Sequence, residues 1–256
     1  MNTEILNTVI TGEATDKTPL LIVHGLFGSA RNWGVVARRM AQDRQVISVD
    51  MRNHGKSFRS SSNSYDDMAA DLARVIEATG GPMHVLGHSM GGKTSMMLAL
   101  TRPDLVKRLI IADISPVAYE HTQIGLVQAM QSLDVSQVEK RGDADRALAT
   151  LIPEDSVRAF LLQSYDVKGK KWLLNLDVLG TEMAQVVGWP YPKGRFDGPS
   201  YFISGGDSSY VKAEYRADIK ALFPAAKFAK IPGAGHWLHA EKPREFEAVL
   251  QTILVD

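Results

Sequence analysis

Met83-His-Val-Leu-Gly-His-Ser-Met-Gly-Gly-Lys-Thr-Ser-Met-Met-Leu-Ala-Leu100 is the run from which the rest of this chain can be read. It opens as a short apolar strand, Met83 to Leu86, and closes as a helix rich in Met, Leu and Ala. Between them stands Gly87-His88-Ser89-Met90-Gly91, a G-x-S-x-G pattern at a strand-to-helix turn. So sharp a turn strains the residue at its apex, holds its hydroxyl outward and needs glycine two residues to either side. The following helix aims its free N–H groups and positive dipole end at the same point. One local geometry would then supply both a nucleophile and an anion site.

The pattern alone is weak, and the same residues also spell Gly87-x4-Gly92-Lys93-Thr94, a match to a phosphate-binding loop. Leu109-Ile-Ile-Ala-Asp113 resembles the strand and acidic residue that hold magnesium in such proteins. The remainder of the chain has to decide.

Its 256 residues suffice for one large α/β domain, or one domain carrying an insertion. Hydrophobic content of 45% and charged content of 23% are ordinary for a globular protein. With 29 basic and 29 acidic residues, no charge excess points to nucleic acid or an anionic membrane. The absence of cysteine excludes disulfides, thiolate zinc sites and a thiol nucleophile. Met1-Asn-Thr-Glu-Ile-Leu-Asn lacks the basic start and apolar run of a signal peptide, and no apolar run reaches membrane-spanning length. A soluble cytoplasmic protein is the expectation, with monomer and dimer both open.

Outward from the central run, strands and helices alternate. Strands are expected at Ile5–Thr11, Leu20–Val23, Gln45–Val49 and Val106–Ala112, with helices at Asn32–Gln42, capped by Ser29, and Tyr65–Thr79. The rhythm resumes with strands from Pro199 to Ser204 and Ala226 to Ile231, and helices from Ala213 to Leu222 and Pro243 to Ile253. This spacing predicts an α/β fold whose mostly parallel central sheet is covered by helices on both faces. Residues 115–197 break the rhythm. Helical pieces dominate there, around Thr122–Leu133, Ala144–Leu151 and Ser156–Leu162, with isolated aromatics including Tyr119, Phe160 and Trp172. We expect a small helical cap over the strand ends, inserted into a core made of residues 1–114 and 198–256. A helical layer without a role in binding is the alternative.

A serine mechanism draws three further loops together, each after a predicted strand and so at the edge where open α/β sheets bind ligands. His236, in Gly233-Ala-Gly-His-Trp237, has the position and chain order of a general base for Ser89. Two donors must face the developing oxyanion. The Met90 amide is one; a loop amide after His24-Gly25 is the other, at Leu26 or, as runner-up, Phe27. His24 braces that loop rather than reacting. The acid that orients His236 has two candidates at strand ends, Asp113 and Asp207. The spacing Gly-x-x-acid-x-x-Val, laid on Gly205 and Val211, puts Ser208 rather than Asp207 at the acid position. Asp113 is therefore preferred, with Ser208 as a polar helper. Phe27, His88, Tyr119, Trp172, Tyr210 and Trp237 are the candidate lining of an apolar substrate pocket.

Leu21-Ile-Val-His-Gly-Leu-Phe-Gly-Ser29, Asp50-Met-Arg-Asn-His-Gly-Lys-Ser57, Gly87-His-Ser-Met-Gly-Gly92, Ala112-Asp-Ile-Ser-Pro116 and Gly233-Ala-Gly-His-Trp237 together resemble the α/β-hydrolase superfamily. Within it the chain is most similar to the small YbfF-type bacterial esterases and their mitochondrial relatives. The likeness spans nearly the whole chain and is most specific at Asp-Ile-Ser-Pro and at Gly-Gly-x-Ser-x-Tyr-Val. It implies that the acid comes from the strand ending at Asp113, although the group usually carries asparagine where Asp207 stands here. It also implies a small helical cap and hydrolysis of carboxylic esters, with acyl thioesters as a second class.

The leading expectation is thus a serine ester hydrolase acting on short-to-medium acyl chains, needing neither metal nor organic cofactor. Carbon–carbon bond hydrolysis, lactone opening and perhydrolysis use the same groups. From other classes, a phosphate-loop nucleotide hydrolase would explain Lys93 and Asp113 but leave His24-Gly25 and His236 without purpose. A scaffold kept only to bind a ligand would leave Ser89 and His236 idle.

Overall fold

The computed structural model describes residues 4–255. The chain begins with β1 (Thr8–Thr11), β2 (Leu20–Val23), α1 (Gly34–Met40), β3 (Val46–Val49), α2 (Tyr65–Ala78), β4 (Met83–His88), α3 (Met90–Thr101) and β5 (Val106–Ala112). There follow α4 (Ile124–Ser132), α5 (Arg141–Leu148), α6 (Asp155–Leu161), a short hairpin β6 (Tyr165–Asp166) and β7 (Lys171–Trp172), α7 (Leu176–Thr181) and α8 (Met183–Val187). The chain returns through β8 (Ser200–Gly205), α9 (Arg216–Leu222), β9 (Ala226–Ile231), α10 (Leu238–Glu241) and α11 (Pro243–Ile253).

Seven strands form one sheet in the order β1-β3-β2-β4-β5-β8-β9. β1 runs antiparallel to β3 at the edge, and every other pairing is parallel. Side chains alternate between two apolar layers, as a pleated strand requires. Leu20, Ile22, Ile110 and Ala112 pack with Trp33, Phe246 and Leu250. Leu21, Val23, Leu109 and Ile111 pack with Leu72, Ile76 and Met96. With both faces covered, strands read as unbroken apolar runs rather than as alternation.

The limits of β2, β5, β9 and α11 are those the sequence predicts. β1 is shorter than Ile5–Thr11, because β3 offers it only four partners. The helix expected from Asn32 starts earlier, as a 3-10 turn over Ala30–Trp33, and ends at Met40. There the Ser29 N–H donates to Asn32 Oδ1 at 2.7 Å, so the side chain of Asn32 closes the turn. Between β5 and β8, α4, α5 and α6 fall near their expected places, whereas α7, α8 and the hairpin were not foreseen. Five or six residues are too few to show a helical stripe, and two per strand too few to show alternation.

Candidate active site

A parallel sheet collects the C-terminal ends of its strands along one edge, so the loops after β2, β4, β5, β8 and β9 share that edge. From β2 the chain moves one way to β3 and returns on the other side at β4, making a switch point between β2 and β4. His24-Gly25 leaves β2 and Ser89 leaves β4 on either side of it.

Ser89 sits at φ 52°, ψ −122°, a conformation that side chains other than hydrogen rarely adopt. The flanking glycines are what permit it. A Cβ on Gly87 would collide with Gly91 O and Ser95 Oγ, and one on Gly91 with the carbonyls of Val23 and His24. The start of α3 is thereby pressed against the end of β2, and Gly25 comes so close to Ser89 that a Cβ there would lie 3.1 Å from the Ser89 Cβ. The Ser89 hydroxyl makes no hydrogen bond to His236, whose Nδ1 is instead engaged by Asp113.

Asp113 also adopts a positive φ, 51°, which turns its carboxylate back across the ends of β5 and β8. The carboxylate is fully buried and has three donors. Gly205 N–H reaches Oδ1 at 3.0 Å, and His236 Nδ1–H reaches Oδ2 at 2.8 Å. The Ser208 hydroxyl donates to the same Oδ2. With Nδ1 so engaged, the His236 lone pair is on Nε2. Asp207 is exposed on the β8–α9 loop, its N–H bonded to Ala234 O at 2.9 Å, and its carboxylate makes no hydrogen bond to His236. The His236 ring lies between two others: Tyr210 stacks on it at 4.0 Å and 22°, and His88 tilts against it at 4.7 Å. Burial, reinforced by His236 and His239, holds His88 well below the ordinary histidine range. Neutral His88 donates from Nε2–H to the His236 carbonyl at 2.9 Å.

On the β2 loop, the Phe27 N–H is taken by His54 Nε2 at 3.2 Å, whereas the Leu26 N–H has no acceptor among the described residues. The Met90 N–H is the first of α3, with no carbonyl a turn behind it to bond. Of the loop amides weighed from sequence, Leu26 is therefore the free one. His24 braces the loop: its Nδ1–H donates to Gly25 O at 2.7 Å and its Nε2 accepts the Met51 N–H at 2.9 Å. Burial lowers the pKa of His24, and it carries His54 down to about 3 with further help from His24, so both rings serve as neutral braces.

Ser89, His236, Leu26 and Met90 line one cavity of about 400 Å³. Phe27, His88, Tyr119, Tyr210 and Trp237 line it too. Trp172, expected with them, does not. Its indole N–H donates to Met130 O at 2.9 Å and its ring meets Tyr165 edge-on, so hairpin packing holds it away from the cavity. Sequence reading missed the aliphatic wall that residues 115–197 add, among them Leu126, Val157, Val186 and Val187. Valines and leucines with no periodic context carry no signal that separates wall from core. The phosphate-loop alternative is corrected here. Lys93 is buried and turned to the carbonyls of Val187 and Gly188, Thr94 bonds back to Met90 O within its helix, and Asp113 is bound to His236. Neither Lys93 nor Thr94 is therefore turned toward a phosphate at the start of α3. Among the described residues, no helix is long and apolar enough to cross a membrane.

Residues 18–243 match the family described as alpha/beta hydrolase fold. The chain is 40% identical over 242 residues to "Esterase YbfF" of Escherichia coli K12, covering 93% of this chain and 92% of that protein. It is 38% identical over 257 residues to "sn-1-specific diacylglycerol lipase ABHD11" of Mus musculus, covering 96% of this chain and 83% of that one. Among solved structures, "Marine microorganism esterase" superposes with a TM-score of 0.92 at 34% identity, covering 98% and 99% of the two chains.

Proposed function

The chain belongs to the alpha/beta hydrolase fold family, and on that premise we infer that it is a serine carboxylic ester hydrolase. The observation that carries this reading is the meeting of groups from separate loops. The buried Asp113 carboxylate holds His236 Nδ1 at 2.8 Å, and His236 and Ser89 line the same cavity. Relatives named as an esterase and a lipase support ester hydrolysis over the other chemistries open to this constellation.

In the proposed mechanism the Ser89 oxygen attacks the acyl carbonyl carbon while His236 Nε2 takes its proton. The carbonyl electron pair moves onto oxygen, and the N–H groups of Leu26 and Met90 receive the charge. The intermediate collapses with loss of the alcohol, which leaves with the proton from His236, and an acyl-enzyme on Ser89 remains. Water, deprotonated by His236, attacks the acyl carbon; the acid departs and Ser89 regains its proton. Asp113 orients His236 and stabilises its protonated form, and Ser208 fixes Asp113. Residues 115–197 are assigned as a helical cap on the core of 1–114 and 198–256. Short-to-medium acyl esters are the proposed substrates, with thioesters the second class.

Replacing Ser89 with Ala is expected to lower kcat for p-nitrophenyl butyrate by roughly 10⁶-fold, with the circular dichroism spectrum unchanged. Turnover at the wild-type rate in a pure sample would remove Ser89 as the nucleophile. A panel of oxygen esters beside matched thioesters then ranks the two classes.

A further inference from the structure

Lys93 is the only residue of Lys, Arg, Asp or Glu type in the central run, and the hydrolytic mechanism does not use it. Its side chain is buried, with 1% of the residue exposed, yet it borders the cavity one helical turn beyond Ser89. Its partners are carbonyls rather than a carboxylate: Nζ donates to Val187 O at 2.9 Å and to Gly188 O at 2.5 Å. These are carbonyls at the C-terminal end of α8, where no further turn can satisfy them and where negative partial charge collects. Two tyrosines complete the cluster. The Tyr119 N–H also donates to Val187 O, at 3.0 Å, and the Tyr65 hydroxyl donates to Val186 O at 2.7 Å. The rings of Tyr119 and Tyr65 lie 4.8 and 5.9 Å from Nζ. Val186 and Val187, the residues so held, are part of the cavity wall.

We propose that Lys93 is a specificity-determining residue: by tethering the 186–188 turn to α3 it fixes one wall of the acyl cavity and limits the chain length accepted there. This rests on reading the cavity as the acyl site. An aliphatic tail pressing past Val187 would have to part Nζ from two carbonyls and the Tyr65 hydroxyl from a third. It would gain little apolar contact in return. Burial draws Lys93 down to about 7. The tether survives loss of that proton, because a neutral amine keeps two N–H donors and two carbonyls await them.

The test replaces Lys93 with Met, of similar length but with no donor. It compares kcat/KM for p-nitrophenyl octanoate and acetate, and hydrogen exchange at the Tyr119 amide. The octanoate-to-acetate ratio should rise about tenfold, within the range a few methylenes command in an apolar pocket, and the Tyr119 amide should exchange faster. Tyr65→Phe, which removes a single hydroxyl, should move the ratio the same way by less. It serves as the readout if Lys93→Met does not fold. An unchanged ratio in the folded variants overturns the proposal, and so does unchanged exchange at Tyr119 in Lys93→Met. If wild-type protein turns over no ester, the esterase reading fails on its own, and exchange still decides the tether.

Discussion

Burying a carboxylate is costly unless donors replace the water it loses. Asp113 has three, from Gly205, Ser208 and His236. That arrangement separates it from Asp207, which is exposed. Under the proposed mechanism Asp113→Asn disturbs the tautomer and orientation of His236 and should lower kcat by roughly 10⁴-fold. Asp207→Asn, a surface change, should leave kcat within about twofold. Steady-state kinetics on the two variants, with the same ester, compare them; a greater loss in Asp207→Asn would show the acid assignment to be wrong. The Phe27 amide illustrates a different limit of single residues. Its availability depends on His54, 27 positions away, and nothing at Phe27 itself reports that.

At the scale of elements, the β4–α3 turn is the one whose sequence and conformation match residue for residue. Its strained apex is held by two contacts that admit no Cβ, at Gly87 and at Gly91. Gly87→Ala would have to push Gly91 and Ser95 aside, at a cost of about 1–3 kcal/mol or more for overpacking against backbone. The expected result is a lower denaturation midpoint in urea together with loss of ester turnover. Wild-type stability and rate would mean that the turn tolerates far more than its packing suggests. The short elements behave in the opposite way. α7 and α8 carry too few residues to announce themselves, yet the carbonyl end of α8 adds to the cavity wall and accepts from Lys93 of α3.

Across the whole molecule, folding takes several histidines out of water without charge. His54 and His239 are brought down to about 3 by burial, and His88 lies well below its ordinary value for the same cause. In the unfolded chain these rings take up protons near 6.5. Between the two values the unfolded state binds more protons than the folded one, so stability rises with pH there and is lost as pH falls from 6.5 toward 3. Lys93 acts with the same sign in a higher window, from about 7 folded to 10.5 unfolded. Melting temperature should therefore drop on acidification from pH 7 to pH 4. His239→Phe keeps a ring stacked on Trp33 and removes one titrating group whose Nδ1 has no hydrogen-bond partner among the described residues. Its melting temperature should fall less steeply; a slope equal to or greater than that of the wild type would exclude His239 as a contributor.

Local chemistry was enough to read the strand–turn–helix at Ser89, the buried strands and their mostly parallel arrangement. Apolar runs, glycines and chain punctuation act over a few residues, and each leaves its mark where it acts. The loops bearing His236 and Asp113 could be singled out in the same way, each by a glycine bend or a strand end. What the sequence left open was contact between distant residues: which of two aspartates faces the imidazole, which loop amide stays free, and where Trp172 and Lys93 point. Those outcomes depend on which backbone groups the packed sheet brings within about 3 Å of one another, a distance that no local pattern encodes.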